Sequence, residues 1–325
     1  MSTNGSRTYP YYPGCSLQHG NHAYEVSAHA VAQALGFGLE ELDDWNCCGA
    51  TEYFSVNRLP AYALVARNLA LAEQAGAEQL VVPCSACLLN LHKTDKNMRL
   101  YPKLGERVNR ALAAGRLRYD AGAVRVRHLL EVVLDDVGLE KLAAQLKRPL
   151  YGLKLAPYYG CLVARPDAIF GDSEQPTAMD RLIEALGARV VPFSLKTFCC
   201  GGHMTQISEE TALGMIHKIV RSAAESGADA LVVLCPMCQL NLDVYQEHAN
   251  RYFETDYRVP VLFFTQVIGL ALGLKPEALG FGQEFVDARP VIDAIRDVPP
   301  PRSKPARRPK GALPLPVMPE VGRGR

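Results

Sequence analysis

The chain has no apolar run long enough to cross a bilayer. Its longest, Val259 to Leu274, is broken by Thr265-Gln266, and a spanning helix needs about 20 residues. It has almost no net charge, +1 over 325 residues, which removes any global field for nucleic acid. No Gly-rich fingerprint stands between a strand and a helix, so neither flavin nor nicotinamide is expected in this chain. The opening Met1-Ser2-Thr3-Asn4-Gly5-Ser6 lacks an apolar signal core. A cytoplasmic protein is therefore expected, in a compartment where clustered thiols bind metal more often than they pair as disulfides. There is no cysteine to spare either, because all ten fall in two sets of five.

The first set is Cys15, then 31 residues, Cys47-Cys48, 35 residues, and Cys84-Ser85-Ala86-Cys87. The second is Cys161, 37 residues, Cys199-Cys200, 34 residues, and Cys235-Pro236-Met237-Cys238. Each vicinal pair is followed by glycine, Gly49 or Gly201. Adjacent cysteines rarely bond to each other, since the ring they close is strained, whereas neighbouring thiolates can hold neighbouring irons. A lone Cys-x-x-Cys suits zinc, thiol exchange and iron–sulfur clusters alike. Five sulfurs per set exceed the four that zinc or an ordinary cubane needs, which places iron–sulfur ahead of zinc and zinc ahead of thiol redox.

The rest of the sequence repeats with the cysteines. Leu80-Val81-Val82-Pro83-Cys84-Ser85-Ala86-Cys87-Leu88-Leu89-Asn90-Leu91 matches Leu231-Val232-Val233-Leu234-Cys235-Pro236-Met237-Cys238-Gln239-Leu240-Asn241-Leu242 at most positions, and Gly76-Ala77-Glu78 returns as Gly227-Ala228-Asp229. Apolar periodicity predicts helices from about Ala23 to Leu35, Leu59 to Ala75, Leu88 to Met98, Lys103 to Ala114 and Leu129 to Val137. Strands are predicted over residues 8–12, 79–83, 124–128 and 153–156, and Leu39 to Trp45 reads as a connection. The predicted class is α/β: two duplicated domains, 1–147 and 148–297, each a small, mostly parallel sheet flanked by helices, related by pseudo-two-fold symmetry. From Val298 to Arg325, eight prolines and seven Lys/Arg against one Glu predict a disordered or extended tail. Removing its +6 from the total of +1 leaves −5 on the folded body.

These motifs resemble the cysteine-rich CCG domain found in the B subunit of heterodisulfide reductase. The likeness is carried by Tyr12-Pro13-Gly14-Cys15-Ser16-Leu17, Trp45-Asn46-Cys47-Cys48-Gly49-Ala50-Thr51, Arg67-Asn68-Leu69-Ala70, Tyr159-Gly160-Cys161-Leu162 with Arg165-Pro166, and Cys199-Cys200-Gly201-Gly202. It covers about Tyr9 to Leu274. The resemblance implies two non-cubane [4Fe–4S] clusters, ligated by Cys15, Cys47, Cys48, Cys84 and Cys87 and by Cys161, Cys199, Cys200, Cys235 and Cys238. A disulfide, or a sulfur bound to a lipoyl carrier, would be cleaved or formed between them. Cys48, Cys200 and His203 are then the catalytic candidates. The implied partners are an iron–sulfur protein resembling the C subunit of heterodisulfide reductase, a flavoprotein resembling its A subunit, and a lipoyl-carrier protein.

The alternative is an electron-transfer or anchoring subunit of a lactate, glycolate or succinate oxidoreductase, in which similar domains occur. Those chains usually carry ferredoxin-like Cys-x-x-Cys-x-x-Cys motifs, which this one lacks. A zinc-stapled interaction module is the third class. His19 and His22 join His203 as proton-donor candidates, although a histidine near a ligand loop is more often a surface or supporting residue. Trp45 is weighed as a cluster shield against ordinary packing. Arg165, Lys196 and Lys154 are weighed as anion-binding groups against solvated charge.

Overall fold

A computed structural model of the chain describes residues 7–50 and 53–299. The tail expected from Val298 lies outside them from residue 300 onward, as does Thr51.

Two four-stranded sheets share one plan. The first has strands β1 (Arg7–Tyr11), β2 (Phe37–Glu41), β3 (Gln79–Val82) and β4 (Arg125–His128) in the order β2-β1-β3-β4. The second has β5 (Lys154–Tyr158), β6 (Arg189–Val190), β7 (Ala230–Val233) and β8 (Val261–Phe263) in the order β6-β5-β7-β8. Every pairing is parallel, with registers such as Tyr9↔Leu39, Val82↔His128 and Val233↔Phe263. The inner strands β3 and β7 are nearly continuous apolar runs because helices cover both faces of a parallel sheet.

In such a sheet the chain reverses direction of growth between β1 and β3, and between β5 and β7. The carboxyl ends of those strands therefore open a crevice at each switch point. Cys15 follows β1 and Cys84 follows β3; Cys161 follows β5 and Cys235 follows β7.

The two sheets meet through aromatic contacts that exchange equivalent positions, as a two-fold relation requires. Tyr24, nine residues after Cys15, stacks on Phe263 at the end of β8, with centroids 4.1 Å apart. Phe170, nine residues after Cys161, meets His128 at the end of β4 at 5.7 Å. Helices His22–Leu35 and Phe264–Ala271 pack alongside, with Ser27 and Thr265 hydroxyls 2.7 Å apart.

Three local readings need correction. Leu39 to Trp45 is not wholly a connection, since its first residues belong to β2; β6 is a strand of two residues that the sequence did not signal. Both are edge strands with one exposed side, so neither needs the β-branched run that marks an inner strand. The segment from Leu129 is one α-turn followed by a π-helical stretch, Val132–Val137. Its end carries Asp136, which accepts hydrogen bonds from buried Arg127 at 2.8 and 2.9 Å and from Tyr9 at 2.6 Å.

His128 gives the fold a pH dependence. Its Nδ1 accepts the Leu130 N–H, so the proton sits on Nε2, which donates to the Leu234 carbonyl at 3.1 Å. Complete burial lowers its pKa to about 4. Between that value and the ordinary one near 6.5 the unfolded chain binds more protons than the folded one, so stability falls as pH drops through this window. We expect about 3 kcal/mol to be lost across it. Asp136, held low by Arg127, adds its loss only at lower pH, below the usual carboxylate range. Chemical denaturation over a pH series, wild type against His128→Gln, checks this. An equal slope in both between pH 6.5 and 4 would contradict it.

Candidate metal-cluster site

All ten cysteines are free thiols. Each set gathers at the carboxyl ends of its strands, and the sequence explains how. Gly14 adopts φ 78° and Gly160 φ 70°, turning the chain out of β1 and β5. A side chain at either glycine would collide with sulfur, since a Cβ there would lie 3.0 Å from Cys87 Sγ or 2.9 Å from Cys238 Sγ. Cys84 and Cys235 stand at the N-caps of helices Ser85–Leu100 and Pro236–Val244, where the unpaired N–H groups and helix dipole favour negative sulfur.

The thiols touch in a line. Cys15 Sγ lies 3.5 Å from Cys47 Sγ, and Cys48 Sγ lies 3.3 Å from Cys87 Sγ. Cys48 lies next to Cys47, and Cys87 next to Cys84, the two thiols of each pair perturbing each other's titration. Cys84 neighbours Cys235 of the second set, close enough for each thiol to shift the other's titration. Cys235 neighbours Cys238 and Cys238 neighbours Cys200 in the same sense, with Cys161 and Cys199 beside them. The two sets are therefore adjoining rather than separate.

Their electrostatics repeat as well. Cys15 and Cys161 are pushed up by the hydrogen bonds they give to Cys47 and Cys199 and by burial; those two partners are held down by the same bonds. Cys15, Cys47, Cys161 and Cys199 are half-buried, and the other six cysteines are buried, including Cys48 and Cys200.

Residues that the sequence reading passed over hold the vicinal pairs. Tyr12 and Tyr158, equivalent in the two halves, donate from their hydroxyls to the carbonyls of Asn46 and Phe198, the residues preceding each pair, at 2.9 and 2.6 Å. Asn68 pairs with both the N–H and the carbonyl of Asn46, at 2.9 Å each. After each pair, Asn90 Nδ2 donates to the Cys48 and Ala50 carbonyls, and Asn241 Nδ2 to those of Cys200 and Gly202. The signal was present as identity between the halves at Tyr12/Tyr158 and Asn90/Asn241, without a role attached.

The remaining candidates are placed differently. His203 is half-buried in the turn Gly202–Gln206, directly after the second vicinal pair. His22 is exposed, and the His19 side chain is outside what is described. Trp45 packs edge-on against Tyr12 at 5.2 Å and donates to Glu41, so it supports the tyrosine beside the thiols. Lys196 is neither solvated nor open to an anion: it is 6% exposed and donates to Asp180 and the Pro176 carbonyl. Arg165 is engaged by the Thr197 carbonyl and Glu174. Lys154 begins β5, at the opposite end of the strand from Cys161.

Among the described residues no three or more His, Cys, Asp or Glu side chains surround a single point as ligands of one ion would. The thiols abut instead, and a donor set of sulfur alone, five per half, suits a polynuclear iron–sulfur centre better than a mononuclear ion.

Comparison with known proteins agrees with this architecture. The cysteine-rich CCG domain matches twice, over residues 9–92 and 155–243. The 8-methylmenaquinol:fumarate reductase membrane anchor subunit of Wolinella succinogenes is 39% identical over 284 residues, covering 87% of this chain and 98% of that one. The B subunit of the ferredoxin/F(420)H(2)-dependent CoB-CoM heterodisulfide reductase of Methanosarcina acetivorans is 32% identical over 280 residues, covering 85% and 92%. An Archaeoglobus profundus protein described as like the heterodisulfide reductase B subunit is 32% identical over 276 residues, covering 83% and 92%. Among solved structures, a hypothetical protein from Helicobacter pylori superposes with a TM-score of 0.72 at 19% identity, over 87% of this chain and 53% of that one. The likeness is one of fold, and the chain spans about half of that protein. The chain thus belongs to the cysteine-rich CCG family, among the relatives of the heterodisulfide reductase B subunit, with a family domain in each half.

Proposed function

We propose that the chain is an iron–sulfur subunit of a multi-subunit oxidoreductase that makes or breaks a sulfur–sulfur bond, with one five-thiol ligand set in each of the halves 1–147 and 148–297. The observation that carries this reading is the line of thiols running through both sets by way of Cys84 and Cys235. Bound in each set, a non-cubane [4Fe–4S] cluster would exchange one electron with one sulfur of the bond. Reductive cleavage consumes two electrons and two protons and yields two thiols, so two adjoining sets match the electron count.

The protein's own groups supply position and charge. Cys15, Cys47, Cys161 and Cys199 mark the side of the line nearest solvent, from which a small sulfur compound on a long arm, a heterodisulfide or a lipoyl-bound sulfur, reaches it. Cys48 and Cys200 lie inside it and fix the inner geometry. His203, beside the second vicinal pair, is the proposed proton donor to a departing thiolate. In this reading the chain takes no flavin itself and would receive electrons from an iron–sulfur partner and a flavoprotein.

The fumarate reductase relative supports a second reading, an electron-transfer or anchoring subunit. No helix among the described residues is long and apolar enough to cross a membrane. Anaerobic, chemically reduced protein mixed with an asymmetric disulfide separates the two readings. Sulfur chemistry yields both thiols, one of each per two electrons consumed. Oxidation of the protein by its co-purifying partners, with no thiol released from any disulfide, would support the second reading against the first.

A further inference from the structure

Each vicinal cysteine pair runs into a turn with two successive residues at positive φ: Gly49 at 74° and Ala50 at 44°, Gly201 at 97° and Gly202 at 51°. Ala50 is not a glycine, so its conformation is held by something outside the turn. The holding group is the same in both halves. Asn90 Nδ2 donates to Cys48 O at 3.1 Å and Ala50 O at 2.5 Å; Asn241 Nδ2 donates to Cys200 O at 3.2 Å and Gly202 O at 2.7 Å. The asparagines are 4% and 2% exposed, so bulk water does not take over their bonds.

With its carbonyls drawn toward the amide, the turn offers its N–H groups to sulfur. Gly49 N–H donates to Cys47 Sγ at 3.4 Å, the Ala50 and Gly201 N–H groups favour the thiolates of Cys48 and Cys199, and in the second half Asn241 Nδ2 itself lies 3.8 Å from Cys200 Sγ. N–H groups aimed at ligand sulfur stabilise added negative charge there and raise a cluster's reduction potential.

We infer that Asn90 and Asn241 are positioning residues, each clamping the turn after a vicinal cysteine pair so that its N–H groups stay aimed at the ligand sulfurs. Two independent copies of one geometry carry the inference. It rests on the cluster reading under Proposed function, and goes beyond it in assigning control of the clusters' potentials to two residues that ligate nothing.

The test is anaerobic purification of wild type, Asn90→Ala, Asn90→Asp and Asn241→Asp. Iron content, electron paramagnetic resonance and redox titration are followed for each. Aspartate keeps the shape of asparagine and lacks the N–H donors, so a role in packing alone tolerates it and a donor role does not. Asn90→Asp should lose the first cluster and keep the second, leaving about half the wild-type iron. Asn241→Asp should do the reverse. Asn90→Ala should retain some first-set iron, at a potential shifted to more negative values. The inference is overturned by Asn90→Asp with unchanged iron and potentials, or by loss of both clusters together, which would make Asn90 a residue of the fold as a whole. Wild type without iron would instead overturn the cluster reading itself.

Discussion

Cys48→Ser and Cys200→Ser are each expected to leave about half the iron of the wild type and no sulfur chemistry. Cys48 links Cys47 to Cys87 in the thiol line, and Cys200 connects to Cys238 in the second set. Both are buried, at 3% and 4% exposure, so neither a solvent molecule nor a neighbouring side chain readily replaces the lost sulfur. A cubane with four ligands often survives one substitution. A cluster spread over five sulfurs should lose its open form when the pair that distinguishes it is broken. The unaltered set should keep its metal because its ligands come from the other sheet. Its spectrum should still shift, since Cys84 and Cys235 bring the sets into contact. Activity should vanish in either variant, because the proposed cleavage of a disulfide takes one electron from each set. Iron analysis and electron paramagnetic resonance check this; full iron, unchanged spectra and retained activity in both would make the vicinal pairs structural.

The second large effect is expected from a single methyl group. Gly14→Ala would strain a residue at φ 78° and bring its Cβ to 3.0 Å from Cys87 Sγ; Gly160→Ala would do so at 70° and 2.9 Å from Cys238 Sγ. The left-handed conformation alone costs about 1–2 kcal/mol, which a folded chain tolerates. The collision is different in kind, because it displaces a proposed ligand sulfur from its neighbours. Gly36→Ala separates the two effects: its φ is 81° but nothing lies within 4 Å of the added carbon. That variant should lose about 1–2 kcal/mol of stability and no iron. Gly14→Ala and Gly160→Ala should each lose one cluster while thermal melting shows the fold retained. Full iron in both would mean that the glycines serve only the turn.

Much of this site was legible in the sequence. The cysteine spacing marked both sets, and the apolar runs at residues 80–82 and 231–233 placed β3 and β7 before the Cys-x-x-Cys pairs. The helix from Ala23 to Leu35 was read nearly as it stands, His22–Leu35. What could not be read were relations made only by the tertiary fold. Cys84 and Cys235 are far apart in the chain, and no local pattern announces that the fold makes their thiols neighbours. Lys196 looks like a surface cation until its partner Asp180 is placed beside it. Tyr12 and Tyr158 lie at strand ends like ordinary core tyrosines. Their hydroxyls acquire a role only where the chain returns, 34 and 40 residues later, to present the carbonyls of Asn46 and Phe198. The edge strands β2 and β6 were missed because β2 buries only Phe37 and β6 is two residues long with neither buried, whereas the edge strand β4 buries three of its four residues.

Metal analysis of anaerobically purified protein, joined to electron paramagnetic resonance in the presence and absence of a thiol, bears most directly on the central claim. Two non-cubane clusters require about eight irons per chain, no stoichiometric zinc, and a signal that changes when thiol binds. Stoichiometric zinc in both sets, with little iron even after anaerobic reconstitution, would contradict it.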